Sequence, residues 1–140
     1  MWKEISQRFR RAKQRFKAIR ERRKGRFYSL SHDLDGITIR SLTLENETVA
    51  KKLPWNEISS IHAFKRDLMT VDLICIQIVL CDGTVIKIHE EMEGWMELIE
   101  NLPNYLPKCK RWETWWMVVA FPAFVTNYTE LYNRQIENTN

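Results

Sequence analysis

The chain has little of what marks a secreted, catalytic or membrane-spanning protein. Only three cysteines, Cys75, Cys81 and Cys109, occur in 140 residues, an odd number without metal-site spacing. Cys75 lies in an apolar strand pattern, where a thiol serves as a small core residue. No disulfide framework is expected, and this usage fits a reducing compartment. The four glycines, Gly25, Gly36, Gly83 and Gly94, are isolated, which excludes a phosphate-cradling glycine loop. The longest apolar run, Trp115 to Val125, has 11 residues and includes Pro122, whereas a spanning helix needs about 20. The N-terminus lacks an apolar segment of the secretory kind, so no leader is expected. The expected location is cytoplasmic, at most peripheral on a membrane.

Catalytic constellations are missing too. His32, His62 and His89 are scattered, and His89-Glu90-Glu91-Met92-Glu93 lacks the second histidine of a zinc-protease helix. Asp67 and Asp72 flank an expected loop, where solvated charge is the ordinary state. Cys109 stands between Lys108 and Lys110, neighbours that favour a thiolate, but the sequence places no base beside it. The expectation is a protein without catalytic residues, cofactor or metal. Two glycosylation sequons, Asn46-Glu47-Thr48 and Asn127-Tyr128-Thr129, carry meaning only in a secreted chain.

Charge is abundant and uneven. Residues 1–26 hold 12 Lys/Arg against Glu4 and Glu21, a net of +10, while residues 27–140 hold 10 against 16 acids, a net of −6. The pI near 9.0 therefore describes the leading segment, and any electrostatic partner belongs to that segment. Trp2, Ile5, Phe9, Ala12, Phe16 and Ile19 follow one another at spacings of 3, 4, 3, 4 and 3. That is a single helical stripe, so a basic amphipathic helix is predicted over residues 1–26, with Gly25 as its C-cap. In a parallel homodimeric coiled coil Arg8, Lys13, Arg15, Arg20 and Arg22 would flank the seam and repel, so that pairing is disfavoured.

An anionic counterpart is expected instead. A membrane surface with acidic lipid fits, and so does an acidic groove on a protein partner. Nucleic acid fits the charge but leaves the stripe without a partner unless it packs on the body. A fourth arrangement folds the segment back onto the Glu-rich part of the chain. An organellar transit peptide would also be Arg-rich and acid-poor, but it would be richer in serine than a segment holding Ser6 alone. Trp2, Phe9 and Phe16 are the candidate apolar anchors, with Arg8, Arg11, Arg15, Arg20 and Arg22 as charge contacts.

From Phe27 the apolar period becomes two. Strands are predicted from Phe27 and over Ile37–Leu42, Val49–Leu53, Ile58–Phe64, Leu73–Leu80 and Thr84–Ile88. Asp35-Gly36 and Asp82-Gly83 read as hairpin turns, and Leu68 to Val71 as a loop. Pro54 excludes a central strand at its own position. From Glu90 the period becomes helical, with Trp95, Leu98, Ile99 and Leu102 on one face until Pro103 ends it.

The step Trp55-Asn56-Glu57-Ile58-Ser59-Ser60-Ile61, the long strand, the Asp82-Gly83 hairpin and Gly94-Trp95-x-x-Leu98 together resemble pleckstrin-homology-like domains of bacterial proteins, over roughly residues 27–103. The resemblance implies an antiparallel sheet or barrel capped by a helix, and a scaffold for binding lipid, peptide or protein. Lipid-binding members of that family use basic residues in the first hairpin loop. Here the loop reads Asp33-Leu34-Asp35-Gly36, which repels phosphate.

The remainder, residues 104–140, is predicted to be an aromatic helical extension. Trp112, Trp115, Trp116 and Val119 share a helical face, and a second short helix fits Thr129 to Ile136. This extension either covers the core or presents Trp112, Trp115, Trp116, Phe121 and Phe124 to a partner chain. The class is therefore α+β, with a leading basic helix, a body over 27–103 and a C-terminal extension. The functional expectation is a non-enzymatic binding or adaptor module held to an anionic membrane or acidic partner. A subunit or inhibitor-type interaction protein docking through its aromatic segment is the alternative, and nonspecific nucleic-acid binding a third.

Overall fold

The structure is a computed structural model and describes residues 4, 5, 7, 8, 10, 11, 27–42, 47–68, 71–121 and 127–135. The first three strands, β1 (Phe27–His32), β2 (Gly36–Leu42) and β3 (Glu47–Pro54), form an antiparallel sheet in the order β1-β2-β3. A single 3-10 turn, Trp55–Glu57, leads to β4 (Ile58–Leu68), β5 (Val71–Leu80) and β6 (Val85–His89). Helices α1 (Trp95–Tyr105) and α2 (Trp112–Ala120) follow, and β7 (Thr129–Asn133) closes the described chain. The second sheet is also antiparallel and runs β6-β5-β4-β7.

Period-two patterning explains both sheets. In β5, Ile74, Ile76, Ile78 and Leu80 point into the core, and their counterparts Ile58, Ile61 and Ala63 on β4 are fully buried. Trp95, Leu98, Ile99 and Leu102 of α1 join the same core, as do Trp115, Trp116 and Val119 of α2. Leu30, Ile37, Ile39 and Leu53 enter it from the first sheet.

Several expectations are corrected. No sheet closes into a barrel among the described residues; two open sheets share one core. Pro54 and the 3-10 turn are the physical reason, because they end β3 and carry the chain across to the second sheet before β4 begins. The two helices whose bounds lie wholly within the described residues are in the middle and late parts of the chain, and no continuous helix over 1–26 is among them. Glu4, Ile5, Gln7, Arg8, Arg10 and Arg11 are helical, and the rest of that segment lies outside the described residues. Helix α1 begins at Trp95, after a turn that buries Glu90 and Glu91, and continues through Pro103 to Tyr105. Pro103 lacks the N–H that would bond the Ile99 carbonyl, and the helix still closes beyond it, Leu106 N–H donating to the Leu102 carbonyl at 2.8 Å. The second helix predicted at 129–136 is largely replaced by strand β7.

The two hairpin glycines act differently. Gly83 has φ +90°, as its tight turn requires. At Gly36 a side chain is excluded by close approach, since a Cβ there would lie 2.1 Å from the Leu53 carbonyl oxygen. Asp33 organises that first turn, its Oδ1 accepting the N–H of Asp35 at 2.9 Å and of Gly36 at 3.1 Å. Edge strand β3 carries a bulge at Ala50, and Thr48 to Lys52 are all exposed.

Candidate binding surface

Six residues of the N-terminal segment are described, and they include the candidate contacts Arg8 and Arg11. Three residues of helix turn the chain by 300°, so Ile5 and Arg8 lie about 60° apart around the axis, with Arg10 on the opposite side. Burial marks which residues face the body. Ile5 is 7% exposed and belongs to the core, whereas Glu4, Gln7, Arg10 and Arg11 are exposed. Arg8 is partly buried, and its Nη2 donates to Glu90 Oε1 at 2.9 Å. The Glu-rich stretch after β6 thus receives the segment.

Glu90 is built into the sheet end. Its side chain is wholly buried, and its own N–H donates to the Ile74 carbonyl at 2.9 Å. In return Oε1 accepts the Ile74 N–H at 3.1 Å, continuing the β5–β6 ladder beyond the Cys75–His89 pair. On the other side of Ile74, by register, stands the buried Lys65. Its Nζ donates to the Ala120 carbonyl at 3.1 Å, capping the C-terminus of α2, where a cation complements the helix dipole.

Neighbouring titratable groups are shaped by burial. Desolvation first, and the positive Arg66 second, pull the His89 pKa down to about 4. Its Nδ1 correspondingly accepts the Glu91 N–H at 3.3 Å. Burial pushes the Cys75 thiol up to about 12, with Arg66 acting in the opposite sense, and pushes Cys109 up to about 12 as well. The cationic neighbours of Cys109 therefore do not activate it. Cys81 is the exposed thiol.

The C-terminal aromatic residues occupy a different place from an interface. Trp112, Trp115 and Trp116 are buried, with Trp116 edge-on to Trp112 at 6.3 Å and tilted against Trp115 at 5.7 Å. They pack the core of their own chain, which corrects their assignment to a partner surface. Phe121 is 50% exposed. Trp2, Phe9, Arg15, Phe16, Arg20, Arg22 and Phe124 lie outside the described residues.

Three further sets of contacts were not foreseen from the sequence, although Trp55 and Asn127 stood in motifs named above. Trp55 stacks on Tyr105 at 4.5 Å and donates from Nε1 to the Asp33 carbonyl at 2.7 Å. Tyr105 and His32 share a hydrogen bond of 3.0 Å, which completes an aromatic brace beneath the acidic first hairpin. Tyr128, 60% exposed, stacks on Phe64 at 4.9 Å, with Lys87 over the Phe64 ring. Asn127, at φ 49°, donates from Nδ2 to the carbonyls of Val118 and Phe121, so the amide of this sequon is engaged within the fold. The sequence marked Trp55 by its motif and Asn127 by a sequon, but the contacts themselves leave no periodic trace.

Among the described residues no group of three His, Cys, Asp or Glu side chains is placed to hold a metal ion. Nor is any helix among them long and apolar enough to cross a membrane. No family model, no curated protein and no solved structure matches the chain.

Proposed function

We propose that the protein is a non-enzymatic binding module that attaches to an anionic membrane surface through the exposed basic side of its N-terminal segment. One observation carries the reading: the body grips Ile5 and Arg8 while Arg10 and Arg11 stay exposed. Docking through Ile5 and Arg8 leaves the Arg10 and Arg11 side chains outward. With a net of +10 over residues 1–26 and −6 over the rest, the attraction is concentrated at one pole of the sequence. Each basic residue near an acidic leaflet contributes about 1 kcal/mol. The acidic first hairpin, with Asp33 and Asp35 exposed, adds nothing to such binding.

Co-sedimentation with vesicles tests the proposal. Vesicles of phosphatidylcholine with phosphatidylserine are expected to bind the protein, and phosphatidylcholine alone to leave it in solution. Raising the salt from roughly 0.1 to 0.5 M should release it, because the screening length shortens about twofold, from about 10 Å to about 4 Å. Reversing two exposed charges, Arg10→Glu with Arg11→Glu, should weaken binding by about tenfold or more. Equal binding to neutral vesicles, or indifference to the double substitution, would overturn the reading. Retention on oligonucleotides with no affinity for acidic vesicles would transfer it to nucleic acid.

A further inference from the structure

We propose that the Arg8–Glu90 ion pair is a latch that keeps the N-terminal segment from inserting into a membrane until acidic headgroups take Arg8 from Glu90. The proposal rests on the surface reading above and deepens it with a regulatory step. Glu90 is wholly buried and accepts from both Ile74 N–H and Arg8 Nη2. A buried carboxylate needs its counter-charge, and stripping that partner away is strongly unfavourable. One helical turn from Arg8, on the same side, Ile5 is inserted in the core. Ion pair and apolar contact thus act on one face, and they hold or release together.

Membrane insertion of an amphipathic segment uses its apolar face. In the docked form the described apolar residue of that face, Ile5, is occupied by the protein's own core. Docked protein therefore meets a membrane without Ile5, through exposed residues such as Arg10 and Arg11. Deeper binding requires Ile5 to leave the core and Arg8 to leave Glu90. Anionic headgroups supply the replacement counter-ion for Arg8, so a sufficiently acidic surface opens the latch that a neutral one leaves shut. A ligand shifts such an equilibrium only through its preference for one state, and here that preference comes from the Arg8 and Ile5 side chains that release would uncover.

Glu90→Gln tests this directly, because it keeps the side-chain shape and an acceptor for Ile74 N–H while removing the charge. Amide hydrogen exchange without lipid should quicken by about tenfold over residues 4–11 and stay unchanged in β5. On phosphatidylserine vesicles the variant should bind severalfold more tightly than wild type and remain bound at salt that strips wild type. Arg8→Gln breaks the pair from the other side and should show the same rise in exchange, which decides the matter if Glu90→Gln does not fold. Unchanged exchange over 4–11 would show that the pair holds nothing. Faster exchange with unimproved, fully salt-sensitive binding of Glu90→Gln would sever release from insertion. Wild-type binding that neither variant alters overturns the latch alone, whereas no binding by any of the three overturns the surface reading with it.

Discussion

His89 lies at the end of β6, paired with Cys75 and bonded through Nδ1 to the Glu91 N–H. Burial and Arg66 hold its pKa near 4 in the folded chain, against 6.5 ordinarily. Between those two values the unfolded chain binds the extra proton, so acid favours unfolding there. The stability involved is fully present above pH 6.5 and lost as the pH falls through about 4. At 1.36 kcal/mol per unit the loss is on the order of 3 kcal/mol. Urea midpoints across that window should fall more steeply for wild type than for His89→Gln, and parallel curves would contradict this. None of it is visible in the sequence, where His89 stands in an alternating run beside two glutamates. Strand alternation marks Ile88 as a core residue but cannot show that the turn behind it swallows Glu90 and Glu91. Arg8 lies 82 positions from Glu90, so their pairing leaves no local pattern either. The Glu-rich stretch was recognisable as one of several receptors for the basic segment; the particular acceptor was not.

At the scale of elements, β7 shows where period reading fails. Leu131, Tyr132 and Ile136 suit a helical face, yet Thr129–Asn133 pairs with β4, with Ile61 opposite Tyr132 and His62 opposite Glu130. An open edge on β4 offered backbone partners that a short helix could not match, and tertiary pairing overrode a weak local preference. Arg134 then fastens the end of the strand. Its Nε donates to the Ile58 carbonyl and its Nη2 to the Trp55 carbonyl, both at 2.8 Å. Arg134→Ala should cost about 2–3 kcal/mol, since two carbonyls lose a charged donor. The readout is a lower urea midpoint at unchanged slope. Arg111→Ala is the matched control, because Arg111 is mostly exposed and lies 3.5 Å from Glu113. Its effect should stay within about 0.5 kcal/mol. Equal losses from the two substitutions would show that Arg134 is not a fastening. The hairpins were far more legible, because β4 and β5 alternate cleanly and Asp82-Gly83 carries its own turn chemistry.

Across the whole molecule one core joins both sheets to both helices, and the three tryptophans of α2 sit in it. The expected extension over 104–140 is, in its described part, packed as firmly as the strands. Loss of tryptophan burial and loss of secondary structure should therefore coincide on heating, followed by fluorescence and far-ultraviolet circular dichroism. A fluorescence transition that precedes the other would show the extension unfolding alone. Composition and alternation were enough to foresee an α+β protein. They could not decide between a closed barrel and two open sheets, because that depends on whether β3 pairs onward. Its bulge at Ala50 and its exposed Lys51 and Lys52 now acquire a colloidal meaning. An edge strand with a kinked, like-charged rim resists stacking against its own copies. At high local density such a rim disfavours edge-to-edge pairing of copies. Acetylation of the two lysines would remove the repulsion and leave the bulge as the remaining guard against fibrous growth.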